Sequence, residues 1–217
     1  MTASIVAIHG LWMNGMEMAL LRRRLRDTLG WACSQFSYRS VGCGLAHNVD
    51  RLKQFIDAQP ADQVHIVAHS LGGVLALQML LKYPDTKVGR VVCLGSPLLG
   101  SRAASRLLSR GWGRQLIGRT LREALFDHPL GRCDAATEVA VIAGTTSFGL
   151  GRLIMRLDHP NDGVVTSAET QLPGLAGHIE MRVNHFGLVL SSAVAEQGAH
   201  FLRTGRFSVP QTLSSRT

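Results

Sequence analysis

No apolar run in this 217-residue chain reaches the roughly 18–20 residues that a membrane-spanning helix needs. Cysteine is sparse: Cys33, Cys43, Cys93 and Cys133 show no close-pair spacing, so no metal motif is expected. A chain of this length buries enough core to stand without disulfide staples, and Cys93, inside the apolar run VVCLG, is expected to be a buried thiol. Aromatic residues make up 6%, and none interleaves with basic residues as in RNA-binding motifs. With no zinc-finger spacing and no basic amphipathic tail, nucleic acid is not an expected partner. The chain as given has no basic region followed by an apolar stretch and a cleavage site at its start. It enters the apparent strand SIVAIHG almost at once, and a cytoplasmic location is the expectation. Acidic residues are outnumbered, 15 against 23 basic ones that are nearly all arginine, for a formal net charge of +8. Such a balance describes surface and partners but not fold.

What is present is 46% hydrophobic residues in short bursts. Six apolar runs stand out: SIVAI (4–8), CSQFSY (33–38), VHIVA (64–68), RVVCLG (90–95), EVAVIAG (138–144) and HIEMRV (178–183). Most are continuous, as in strands covered on both faces. Helical spacing fills the gaps at roughly 16–29, 47–58, 71–83, within 102–127, and 187–203. This alternation predicts an α/β domain: a mainly parallel six-stranded sheet with helices on both faces. No repeat or linker divides it, so residues 1–207 are expected to form one domain and 208–217 a frayed tail.

Ligands gather beyond the carboxyl ends of the strands in such sheets. The third strand ends there in AHSLGG, which puts Ser70 at a strand-to-helix corner. A serine at that corner either caps the helix or acts as a nucleophile. The helix N-terminus favours a developing negative charge, and the small residues Ala68 and Gly72 relieve the crowding of a sharp turn. A nucleophilic serine needs a base, and the base needs an orienting acid. His185, in VNHFG after the sixth strand, and Asp162, in HPNDGVV after the fifth, follow in the order Ser, Asp, His. Asp158 in the same excursion is the alternative acid, unless it caps the turn or pairs with Arg156. Two N–H donors would hold the oxyanion: Leu71, directly after the serine, and Leu11, after His9-Gly10. His9 and His69 are expected to be structural.

Taken together, AIHGLW, VAHSLGG and VNHFGLVLSS make the chain similar to the small lipase and esterase branch of the α/β-hydrolases, above all the minimal lipases of bacilli. NDGVV resembles the aspartate loop of pseudomonad-type lipases, and GSPLLGS a segment that follows the next strand in many lipases. The resemblance covers residues 4 to about 203, without a match in 101–135 and 145–160. It implies strand order 2-1-3-4-5-6, a Ser70–Asp162–His185 triad and hydrolysis of a short- or medium-chain carboxylic ester through an acyl-enzyme. It implies no metal or organic cofactor and no stable protein partner. Trp12, Leu98, Leu99 and Phe186 flank these loops as expected substrate contacts. A thioesterase would use the same triad, and a non-catalytic binding module would keep the fold alone.

Residues 101–132 are an insertion that those lipases lack. Arginines 102, 106, 110, 114, 119, 122 and 132 face only Glu123 and Asp127, so seven minus two gives +5. Leu107, Leu108, Trp112, Leu116, Ile117, Leu121, Leu125 and Phe126 supply an apolar side, and Gly111 and Gly113 are expected to split the segment into two helices. Either this is a cap with a solvated basic face, or it receives an anionic acyl substrate or an anionic lipid surface.

Overall fold

The computed structural model describes residues 1–109, 113–133, 135–147 and 157–208. Strands β1 (Ala3–Ile8), β2 (Ala32–Phe36), β3 (Gln63–His69), β4 (Val88–Leu94), β5 (Glu138–Gly144) and β6 (Gly177–Met181) form one sheet in the order β2-β1-β3-β4-β5-β6. Every pairing is parallel, so the expected order holds and the sheet is wholly, not mainly, parallel. The helices are α1 (Ala19–Leu29), α2 (Leu45–Asp57), α3 (Leu71–Lys82), α4 (Arg102–Leu108), α5 (Gly113–Arg122), α6 (Gly187–Leu190) and α7 (Ser192–Thr204). A 3-10 turn, Met16–Met18, leads into α1, and a π turn, Glu123–Asp127, follows α5.

Alternation along the strands divides the core in two. Ile5, Ala7, Val67, Val92 and Ile142 face Met18, Leu21 and Leu25 of the α1 region together with Val194, Phe201 and Leu202 of α7. Val6, Ile8, Ile66, Val91 and Val141 face α2 and α3 on the other side. Helix α3 is buried nearly all round because the sheet, α2 and the insertion cover it from three directions. The insertion is thus part of the core: Ile117, Leu121, Ala124 and Leu125 pack into the same cluster.

One helical expectation changes. The stretch 187–203 is two helices, because Ser191 turns extended between them (φ −74°, ψ 133°) and its hydroxyl accepts the Val194 N–H at 3.4 Å. Helices α4 and α5 flank the expected break. Gly111, Trp112 and Arg110 lie outside the described residues, and α5 has a further kink at Gly118. The four cysteines form no disulfide, and burial pushes the Cys93 thiol up to about 12, out of reach of thiolate chemistry. Among the described residues no helix is long and apolar enough to cross a membrane, and no three His, Cys, Asp or Glu side chains are grouped to hold a metal ion.

Two histidines are folded in as neutral groups. His65 stacks on Trp31 with ring centroids 4.8 Å apart, and its Nδ1 accepts the Arg90 N–H at 3.1 Å. Burial, and then the Arg90 charge, lower its pKa to about 4. His69 is fully buried and is lowered to about 3 by burial and then by His185. In the unfolded chain both bind a proton near pH 6.5. Their contribution is therefore complete above that pH and is lost as the pH falls from about 6.5 toward 4. Each extra proton on the unfolded chain steepens the loss by about 1.4 kcal/mol per pH unit. Urea midpoints are expected to fall steadily across that window; an unchanged midpoint between pH 7 and 5 would contradict neutral burial.

Candidate active site

Ser70 occupies the first position before α3, yet its side chain accepts no capping hydrogen bond. Ser101 and Ser191 stand at the same kind of position and do cap, accepting from Ala104 N–H and Val194 N–H. Capping therefore does not explain Ser70. Its backbone is strained besides, at φ 52° and ψ −122°, a region that costs on the order of 1–3 kcal/mol for a residue with a Cβ. The corner closes because Gly72 lies against β1: a Cβ there would meet the Ile8 and His9 carbonyl oxygens at 2.7 Å. The strained turn leaves Ser70 half-buried at the N-terminal end of a helix.

The loop after β1 runs alongside. Gly10 sits so close that a Cβ on it would be 3.2 Å from that of Ser70. His9 fixes this loop from within the core: its Nδ1–H donates to the Gly10 carbonyl at 2.8 Å, its Nε2 accepts the Tyr38 N–H at 3.1 Å, and its ring stacks on Tyr38. Burial holds its pKa below 6.5, consistent with this neutral form. Leu11 packs partly into the core, and Trp12 (φ 61°) gives its N–H to the Ser40 hydroxyl at 3.1 Å.

Asp162 is buried at the turn after β5. One carboxylate oxygen accepts the Val164 and Val165 N–H groups at 2.9 and 2.8 Å, and the other accepts His185 Nδ1–H at 2.7 Å. Donation through Nδ1 leaves Nε2 as the acceptor of this imidazole. The pair is tied twice more. The His185 N–H donates to the Asp162 carbonyl at 2.9 Å, and His69 Nε2 donates to the His185 carbonyl at 3.1 Å. The His69 and His185 rings lie 4.7 Å apart. His69 is next to Ser70 in the chain, so it links the serine corner to the histidine loop, a stronger role than packing. The structure thus places Ser70, Asp162 and His185 beyond the carboxyl ends of β3, β5 and β6.

Asp158 is elsewhere. Its carboxylate is exposed and pairs with the Arg102 guanidinium at the start of α4. The expected partner, Arg156, lies outside the described residues.

Sequence reading missed Gly95 at this site and Glu169 on the segment that follows Asp162. Gly95 follows β4 at φ 55°, and a Cβ on it would stand 2.6 Å from Leu188 Cδ1, 2.9 Å from Asp162 Oδ2 and 3.2 Å from His185 Nδ1. Gly95→Ala is expected to displace that pair and lower turnover by about 10²-fold, the size of an ångström-scale misplacement. Wild-type kcat in the alanine variant would show that the pair tolerates the shift. Glu169 is buried and binds three segments: its carboxylate accepts the Arg102 N–H at 2.5 Å and the Thr166 N–H at 2.8 Å, and its carbonyl accepts the Leu99 N–H at 2.9 Å. The spacing Thr166-x-x-Glu169 is a capping-box signature that could have marked it.

Glu169 also walls a cavity of about 380 Å³ with Leu99, Arg102, Ser105, Phe126 and Pro160. Ser70 and His185 do not line this cavity. Of the expected contacts, Leu99 lines it, while Trp12 and Phe186 are exposed at the loops around Ser70. Leu98 is a correction. It is 1% exposed and belongs to the core beside α3, because the tight turn from Ser96 carbonyl to Leu98 N–H directs it inward.

The family described as alpha/beta hydrolase fold matches residues 27–137, just over half of the chain. RutD of Pantoea ananatis, described as a carbamate hydrolase, is 30% identical over 95 residues, which are 43% of this chain and 34% of that protein. The matched stretch thus spans about a third of that relative's length. The mature lipase BlEst2 of Bacillus licheniformis is similar in structure, with a TM-score of 0.67 and 19% identity over 92% of this chain and 90% of that one. The pyrethroid hydrolase PytH gives a TM-score of 0.68 at 14% identity, over 94% of this chain and 99% of that one. At such identities the structural likeness is one of fold. The family match, which takes in the serine corner and the strands on either side of it, is one of sequence. The chain belongs to the α/β-hydrolase fold family.

Proposed function

We propose that the protein is a serine hydrolase of carboxylic esters. The observation that carries this reading is a strained serine that makes no cap to its own helix, next in the chain to His69, whose ring lies 4.7 Å from an imidazole held by a buried carboxylate. In this reading Ser70 Oγ attacks the carbonyl carbon and its proton passes to His185 Nε2. Asp162 stabilises the imidazolium through Nδ1, and the N–H groups of Leu71 and Leu11 receive the tetrahedral oxyanion. The alkoxide departs with the proton from Nε2. Water, deprotonated by the same nitrogen, then releases the acid.

In the insertion Arg119 pairs with Glu123, already counted in the net +5, while Arg102 pairs with Asp158 from outside it and offsets one of those charges. Trp12 and Phe186, exposed on the loops after β1 and β6, are the apolar side chains that would contact a short or medium acyl chain. Steady-state kinetics on p-nitrophenyl acetate, butyrate and octanoate, with an acyl-CoA thioester and an aryl carbamate alongside, test the reading. Turnover is expected for the esters, with kcat/KM highest for one of them. Faster turnover of the thioester or the carbamate would move the substrate class, and no turnover of any acyl compound by folded protein would end the hydrolase reading.

A further inference from the structure

Helix α1 is apolar on more than the side it needs. Met18, Leu21, Leu25 and Leu29 already fill the core. Met16 and Leu20 form a second stripe at a spacing of four, which Arg24 continues, and both side chains remain in solvent, at 77% and 39% exposure. The neighbouring helix α6 packs against the Met16–Met18 turn and α1, and the Arg24 guanidinium donates to the Leu190 carbonyl. Leu190 and Phe186 at the two ends of this turn are 50% and 54% exposed. Trp12, 61% exposed, stands on the loop beside Ser70. Large apolar side chains scattered singly are ordinary, but a group on two packed elements marks an interaction surface.

The charge around it selects the occupant. Helix α1 carries Arg22, Arg23, Arg24 and Arg26 against Asp27 alone, and Arg23 and Arg26 both reach for that one carboxylate, at 3.6 and 3.5 Å. Arg203 of α7 donates to the Thr28 carbonyl at the far end of the same helix. A second copy of this chain would bring two such basic rims together and be repelled. An anionic lipid surface offers both acyl chains for the apolar stripe and phosphates for the arginines.

We propose that Met16, Leu20, Phe186 and Leu190, rimmed by the arginines of α1, dock this protein on an anionic lipid surface. The docking would turn the loops that carry Ser70 and His185 toward the bilayer, so an ester embedded there reaches the serine without crossing water. That last step rests on the hydrolase reading; the docking itself does not. The surface lies across the sheet from the arginine-rich insertion, whose Ile117 and Leu125 pack on the α2–α3 side while α1 packs on the other.

Flotation of Ser70→Ala protein with phosphatidylcholine vesicles, with and without phosphatidylglycerol, separates binding from turnover. Binding is expected to be about tenfold stronger with the anionic lipid and to weaken in high salt, as screened arginine–phosphate attraction requires. Leu20→Glu/Leu190→Glu is expected to lower vesicle binding about tenfold or more, while otherwise wild-type protein with the pair hydrolyses a water-soluble ester within about twofold of the parent rate. Matched thermal unfolding of parent and double variant keeps folding out of the comparison. Three results overturn the proposal: no preference for the anionic vesicles, equal binding by the double variant, or a dimer in light scattering that the double variant abolishes. Vesicle binding by a protein that turns over no soluble ester would leave the docking standing and remove the hydrolase reading alone.

Discussion

Ser70→Ala is expected to lower kcat for ester hydrolysis by about 10⁴–10⁶ without unfolding the protein. The size of the loss follows from the role. With no Oγ there is no acyl-enzyme, and only binding and oxyanion stabilisation remain. The absence of a folding defect follows from the structure. The hydroxyl makes no cap to α3, and the corner is held by backbone contacts that alanine keeps: the Ser70 N–H donates to the Leu94 carbonyl at 2.9 Å and the Gly73 N–H to the Ser70 carbonyl at 3.1 Å. The Cβ is retained, so the strained φ of 52° is no worse. Thermal unfolding close to wild type, with initial rates on a p-nitrophenyl ester, checks both halves. Turnover within tenfold of wild type would remove the serine from the chemistry.

Asp162→Asn is expected to reduce kcat by about 10⁴, because the amide selects the wrong tautomer. Asp162 Oδ1 is committed to the Val164 and Val165 N–H groups, so an asparagine would keep its carbonyl oxygen there. Its NH₂ would then face His185 Nδ1, at the place where the carboxylate now accepts at 2.7 Å. The imidazole would have to carry its proton on Nε2, where the serine's proton must go. Asp158→Asn is expected to stay within about tenfold of wild type, since that carboxylate is an exposed partner of Arg102 and its removal is worth little. The opposite ranking of the two variants would reassign the acid.

The framework was legible because burial on both faces writes itself into a strand as an uninterrupted apolar run. VHIVA and EVAVIAG mark β3 and β5 in this way, and every strand boundary falls within about three residues of the run that announced it. The loops worth reading followed from the rule that ligands sit beyond the carboxyl ends, which brought Ser70, Asp162 and His185 forward together. What stayed hidden depends on residues distant in sequence. Nothing local says that Gly95 must lack a side chain; the reason is the Asp162–His185 pair some 70 to 90 residues later. Arg102 and Asp158 are 56 residues apart, and nothing in the arginine spacing announces that pairing. Leu98 and Leu99 are adjacent and alike, and only the turn decides that one enters the core and the other lines the cavity. The break at Ser191 was a local signal passed over: a serine ahead of an apolar helical stretch is an N-cap.

The most direct test of the account is to treat the native protein with a fluorophosphonate probe and map the adduct by intact mass and peptide sequencing. The probe needs an activated serine: an imidazole to take the proton and N–H donors to hold the phosphoryl oxygen. The account predicts a single stoichiometric adduct on Ser70, abolished by prior unfolding and slowed by several orders of magnitude in His185→Ala. Native, folded protein that remains unlabelled, or an adduct on another serine that persists in Ser70→Ala, would contradict it.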